Sequence, residues 1–220
     1  MVLTETLASD DENGRNLSSL AHKAVSQMIR SKELRGGQII VEAKLADTLG
    51  ISRTPLREAL QRLEGEGLVT KAANRSFMVR HVDLAEYLQS LKVREVLETE
   101  AGALAVGRIP LEPIRAARRE IEELTAALTY HTDAHWRSDD TVHELYGTAC
   151  GNVVMGQMIR QLRVTTRLFE IARLADRVAP DSVEHLAILE SLEAQDARRV
   201  RRAVQAHIRS LYRFALANVS

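Results

Sequence analysis

Asp139, His143, His185 and His207 are the residues of this chain whose types and spacing can do chemistry: one carboxylate and three imidazoles able to converge on one divalent metal ion. Asp139 and His143 are four apart in a stretch of helical periodicity, so they project from one face. His185 and His207 are 22 apart, with the turn-prone pair Gln195-Asp196 midway between them. If the chain folds back there as a helical hairpin, each imidazole lies about 16 Å from the turn along its own helix. Both rings then sit at the same level. Three neutral imidazoles and a carboxylate make a mixed nitrogen and oxygen site suited to zinc, nickel, manganese or iron, and the sequence does not choose among them. Four protein ligands on an octahedral ion leave two positions open.

Other histidines compete for this role. His131, His135, Asp139 and His143 form a ladder in four-residue steps, but a helix drifts about 40° per step, so all four cannot face one ion. Asp140 is the other local carboxylate, three residues from His143. His22, His81 and His131 read as surface or satisfied core side chains.

Composition bounds the elements that must hold such a site. At 220 residues and 45% hydrophobic content, the chain is long enough for one large or two small domains with a proper core. One cysteine, Cys150, cannot form an intrachain disulfide, and the start Met1-Val2-Leu3-Thr4-Glu5 lacks a basic region leading into an apolar run. No stretch approaches the roughly 18 apolar residues needed to span a bilayer. These features predict a soluble protein of a reducing compartment, the cytoplasm, with no membrane partner. The formal net charge of zero hides an asymmetry. Residues 1–13 carry four acids and no Lys or Arg; residues 14–80 carry 12 basic against 6 acidic residues, or +6; residues 81–220 carry 18 against 20, or −2. Only the middle segment has the electrostatic footprint of a phosphate-binding surface.

The acidic, aperiodic residues 1–13 read as a flexible tail. A helix is expected from about Leu17, where Leu17, Leu20, Ala21, Ala24, Val25, Met28 and Ile29 follow 3.6-residue spacing, ending at Arg35-Gly36-Gly37. The run Gln38 to Val41 leads to a second helix, Glu42 to Leu49, and Gly50 suits the left-handed position of a tight turn. The next helix has Ser52 as N-cap and Pro55 in its first turn, where a missing amide does no harm. Leu56, Ala59, Leu60 and Leu63 face inward, which leaves Arg53, Thr54 and Arg57 exposed near its N-terminus. A helix-turn-helix reader presents that end to bases and phosphates. Val69 to Lys71 and Phe77 to Arg80 make a two-stranded wing around Ala72 to Ser76, with Arg75 at its tip.

Beyond residue 81 the pattern is almost wholly helical, with breaks at Ile109-Pro110, Gly151-Asn152 and Ala179-Pro180. Six helices are predicted over 83–107, 111–129, 132–149, 153–175, 181–194 and 197–217. The fold class is therefore mainly α: a flexible tail (1–13), a winged helix-turn-helix DNA-binding domain with a small β wing (14–80), and an antiparallel bundle of about six helices (81–220). Bundle cores commonly house metal sites built from facing side chains.

Leu45-Ala46, the run Gly50 to Leu60, Arg62-Leu63 and Glu66-Gly67-Leu68-Val69 together resemble the winged helix of GntR-family repressors. In that family arginines matching Arg53 and Arg57 contact DNA, and the wing tip enters the minor groove. The usual proline after the first helix is Gly36 or Gly37 here, and the wing carries Asn74-Arg75-Ser76 in place of glycine. Leu84, Tyr87, Leu91, Arg94, Leu97, Glu98 and Ala101 resemble the first helix of the FadR-subfamily effector domain. Asp139-x-x-x-His143, Cys150-Gly151-Asn152, Glu184-His185 and His207 are similar to its metal-binding form, and the length matches the shorter, VanR-like version.

That resemblance implies Asp139, His143, His185 and His207 as metal ligands, and a small organic acid as effector at the open positions. It also implies Arg94 as a second, bidentate contact to the acid, the alternative being an Arg94 paired with Glu98 at i+4. The function implied is a homodimeric transcription factor, most often a repressor in this family, on a palindromic double-stranded operator. The alternatives are a metal-dependent enzyme, since such a site can activate water or oxygen, and a regulator whose metal is purely structural.

Overall fold

The computed structural model describes residues 3–72, 75–126, 133–173 and 177–218; for 3–15, 172, 173 and 178 it describes the backbone only. The chain divides into two compact units, Met1–Val82 and Asp83–Ser220.

The first unit places α1 (Leu3–Arg30), α2 (Glu42–Leu49) and α3 (Arg53–Gly65) around a small antiparallel sheet of β1 (Ile39–Ile40), β2 (Val69–Lys71) and β3 (Phe77–Val79), in the order β1-β3-β2. Its core is the inner stripe of each helix, with Ala21, Val25 and Ile29 from α1 and Leu56, Ala59, Leu60 and Leu63 from α3. Phe77 and Val79 close it from the sheet. Register pairs Val69 with Val79 and Lys71 with Phe77. On the other side of β3, Ile39 pairs with Met78 and Ile40 with Phe77, so the run expected only to lead into α2 is a third strand. Two residues of alternating burial are too short a pattern to identify a strand alone. The backbone is helical from Leu3, well before the expected start at Leu17; no proline interrupts the sequence between them.

Gly50 ends α2 in the left-handed region (φ 64°), donating its amide to Ala46 and Asp47 carbonyls. Ser52 occupies the N-cap position of α3 with extended backbone, but its hydroxyl makes no capping bond. His22 on α1 reaches both carboxylate oxygens of Glu66, at 2.9 and 2.8 Å, which ties α1 to the end of α3.

The second unit is a bundle of α4 (Leu84–Ala105), α5 (Leu111–Ala126), α6 (Asp133–Ala149), α7 (Val153–Arg173), α8 (Val178–Glu193) and α9 (Ala197–Asn218). Asp83 caps α4, its Oδ1 accepting the Glu86 amide at 2.8 Å. Packed against α6, α7 and α9, α4 is the central helix. Its buried stripe of Tyr87, Leu91, Arg94, Glu98, Ala101 and Ala105 recurs every three or four residues but contains two charged groups. Arg108 donates to the Cys150 carbonyl at 2.9 Å, and Asn152 caps α7 through the Met155 amide at 3.0 Å, which fixes the sharp corner between α6 and α7. Helix α8 starts at Val178 rather than 181: Pro180 lies inside the first turn, where no intrahelical amide bond is lost. Gln195 adopts φ 55° between α8 and α9, and the two helices fold back on each other there.

Candidate functional site

Three helices each contribute one imidazole to the centre of the bundle. His143 comes from α6, His185 from α8 and His207 from α9, and they are respectively 1%, 3% and 1% exposed. Ring centroids lie 5.2 Å apart for His143–His185, 5.3 Å for His143–His207 and 4.6 Å for His185–His207. One ligand atom of each lies within 4.8 Å of the others. The hairpin of α8 and α9 is what brings His185 level with His207.

What faces outward from the cluster fixes what faces in. His143 Nδ1 lies 2.5 Å from Glu98 Oε2, and His207 Nδ1 lies 2.8 Å from Glu184 Oε2. A carboxylate only accepts, so each of these Nδ1 atoms carries its proton and Nε2 is left with a bare lone pair. Among the described residues, the Nε2 atoms of His143, His185 and His207 are all buried without a hydrogen-bond partner. Buried polar nitrogens rarely stay unsatisfied, and three of them gathered at one point form a donor set of the kind that holds a metal ion. Burial, then the Arg163 charge, pushes His143 down to about 3; burial, then His207, holds His185 well below the usual imidazole range. The His143 and His185 lone pairs are therefore free at neutral pH, as metal ligation requires.

Asp139 stands beside this group rather than within it. Its Oδ1 is 3.5 Å from His185 Nε2 and 3.8 Å from His143 Nε2. Its Oδ2 accepts from Arg163 at 2.7 Å and from Arg167. The same two guanidiniums bond Asp140 at 2.5 and 2.8 Å. Burial would raise the Asp139 carboxyl, but Arg167 and Arg163 outweigh it and hold it well below the usual carboxylate range. Asp139 thus stays ionised, with one oxygen turned toward two of the rings.

Arg94 is fully enclosed. Its Nε donates to Glu98 at 2.6 Å and its Nη1 to Thr166 at 2.8 Å, while Nη2 finds no partner among the described residues. The pairing with Glu98 at i+4 and a place on a cavity wall coexist, because Arg94 also lines a cavity of about 60 Å³ beside the cluster. Asp139, His185, His207, Arg163, Arg167 and Trp136 line the same space, with Ile121, Leu124 and Leu211 as its apolar part. At about 10–15 Å³ of such volume per water, it has room for a few waters or one small organic molecule.

Arg163, Arg167, Arg177 and Trp136 were not singled out by sequence. Arg163 and Arg167 are four apart on α7, a spacing that puts them on one face, but nothing in the chain says that face is inward. Arg167 lies 4.1 Å over the Trp136 ring, and Arg177 bonds Asp181 at 2.9 Å and Glu184 at 2.7 Å. His135, of the four-residue ladder, lines the cavity, whereas His131 lies outside the described residues.

In the first unit Arg53, Thr54 and Arg57 are exposed on the first turns of α3, and Leu56, Ala59, Leu60 and Leu63 are 0% exposed beneath them. Arg75 is exposed with φ 63°, turning the chain between β2 and β3; its neighbours Ala73 and Asn74 lie outside the described residues.

Residues 17–79 match the family described as bacterial regulatory proteins, gntR family, and residues 89–210 match the family described as FCD domain. The Nta operon transcriptional regulator of Aminobacter aminovorans is 40% identical over 91 residues, a match that spans 41% of this chain and 43% of that protein. An HTH-type transcriptional regulator in the TAR-I ttuE-ttuC' intergenic region of Agrobacterium vitis is 30% identical over 146 residues, covering 64% of this chain and 85% of its own. Among solved structures, Escherichia coli McbR/YncC superposes with a TM-score of 0.75 at 20% identity, covering 93% of this chain and 99% of that one, a likeness of fold.

Proposed function

The chain belongs to the GntR family of bacterial regulatory proteins and carries an FCD domain, and from that premise we propose that this DNA-binding transcriptional regulator is a repressor released by a small organic acid. It works as a cytoplasmic homodimer on a two-fold operator, with Arg53, Thr54 and Arg57 at the groove and Arg75 at the wing tip. The exposure of Arg53, Thr54 and Arg57 at the N-terminal end of α3, and of Arg75 between β2 and β3, supports this assignment. No described helix is long and apolar enough to cross a membrane.

The effector site is the cavity beside the three histidines. The observation that carries this reading is the set of three buried Nε2 atoms that make no hydrogen bond among the described residues. His143, His185 and His207, with Asp139 alongside, would hold a divalent ion; zinc, nickel, manganese and iron all suit such a donor set. When bound, the ion supplies positive charge and open positions for a carboxylate. Arg94 meets the same acid through its unpaired Nη2, and Ile121, Leu124 and Leu211 take its apolar body. Regulation requires the acid to bind one arrangement of the dimer better than the other.

A purely structural ion is the second reading, favoured by the fact that the three rings come from three different helices and are almost fully enclosed. Metal analysis of protein purified without chelator separates these possibilities. About one ion per chain, lost in a folded His185→Ala, His207→Ala double variant, supports the site. Chelation that lowers the melting temperature of the bundle while leaving operator release by acids unchanged favours the structural role. No metal in either protein after reconstitution with zinc or nickel refutes both.

A further inference from the structure

One buried carboxylate bonds both an arginine of the cavity wall and a ring of the histidine cluster. Glu98 is 0% exposed at the middle of α4. Its Oε1 accepts from Arg94 Nε at 2.6 Å; its Oε2 faces His143 Nδ1 at 2.5 Å and accepts from the Tyr146 hydroxyl at 2.5 Å. Arg94 lines the cavity and His143 belongs to the cluster, and neither Arg94 Nη2 nor His143 Nε2 makes a hydrogen bond among the described residues. The path from one to the other is therefore guanidinium, carboxylate, imidazole, each in direct hydrogen-bond contact with the next.

We propose that Glu98 is a positioning residue that couples the two halves of the site, so that an anion captured by Arg94 and an ion held by the histidines are linked through this carboxylate as well as through any direct contact. Its premise is the metal and effector reading above. The physical basis is competition for one negative charge. Donors on Glu98 draw on the same two oxygens, so each one added weakens the acceptance from His143 Nδ1–H. A stronger Nδ1–H bond makes Nε2 a better ligand, and carboxylates in this position are worth about 10–100-fold in metal affinity. An anion that draws Arg94 toward the cavity relaxes its hold on Oε1, which turns more of the charge toward His143. Effector binding then tightens the ion, and by linkage the ion tightens the effector equally.

Two measurements on the full chain test this. The first uses metal-free protein with ¹⁵N-labelled histidine. Long-range proton–nitrogen spectra are expected to show the His143 proton on Nδ1, and Arg94→Lys is expected to shift that ring's resonances. The change should not do so in a Glu98→Gln background. A His143 proton on Nε2, or shifts that persist without Glu98, overturns the relay.

The second is zinc affinity by competition with a chromogenic chelator. Glu98→Gln is expected to weaken zinc about 10–100-fold. Arg94→Lys is expected to change zinc affinity several-fold in the presence of Glu98 and under twofold in its absence. If Glu98→Gln does not fold, the Arg94→Lys, Tyr146→Phe pair replaces it, because both act on one carboxylate and their effects should be non-additive. Zinc bound by wild type with strictly additive changes overturns the relay alone. Neither zinc nor nickel bound by wild type overturns the metal reading and the relay together.

Discussion

Arg163 bonds Asp139 and Asp140, and its charge contributes to the protonation state of both a carboxylate and an imidazole. It helps hold Asp139 ionised and helps keep His143 uncharged. The sign of the resulting pH dependence follows from proton counting. His143 is pushed down to about 3 in the fold, against an ordinary value near 6.5, so between those limits the unfolded chain binds more protons. Metal-free protein therefore loses stability as pH falls from about 6.5 toward 3. Asp181, raised by burial to about 7, contributes the opposite slope between its ordinary range and 7. The His143 contribution is isolated by comparing melting temperatures of wild type and His143→Gln from pH 7 to 4. The variant is expected to have the shallower acid decline, and parallel curves refute the assignment. At this scale the sequence was informative about types and spacing. The four ligand candidates and the Arg94–Glu98 pair are local i, i+4 or hairpin relations, whereas Arg163 and Arg167 matter through partners 23 to 28 residues away that no helical period reveals.

Helices are where sequence and structure agree most closely, because long amphipathic stripes and glycine or proline breaks are strong local signals. All six segments expected beyond residue 81 have counterparts in α4 to α9, with ends displaced by a few residues. Ala179-Pro180 reads as a break before a helix, whereas Pro180 is a first-turn residue of α8, and β1 exists only through its pairing with β3. Neither is decided by the residues' own preferences. Two glycines set how closely helices approach. A Cβ at Gly156 would come 2.7 Å from the Gly147 carbonyl oxygen, and one at Gly102 would come 2.8 Å from Val200 Cγ1. Gly156→Ala is expected to destabilise by about 1–3 kcal/mol, as overpacking does, read as a lower denaturation midpoint. Because the clash is with backbone, no single side-chain truncation should rescue it. Gly102→Ala is expected to cost a comparable amount but to be largely restored by Val200→Ala, since there a side chain is what must give. Full additivity of the last two changes would refute the contact.

For the whole molecule, charge is divided by task. Residues 14–80 carry the net positive charge, and the segments on either side do not. Arg57→Ala is expected to weaken operator binding and to reduce the slope of log affinity against log salt by about 1, with metal content unchanged. Equal loss of both would indicate a misfolded chain and remove the support for a DNA contact. Trp136 has a further consequence. It is the chain's single tryptophan, it lies on the cavity wall, and Arg167 stacks 4.1 Å above its ring. All indole emission from the protein therefore originates at this one place, next to a cationic neighbour that an arriving anion would draw away. Intrinsic fluorescence, without label or dye, is thus an optical gauge of what enters the cavity.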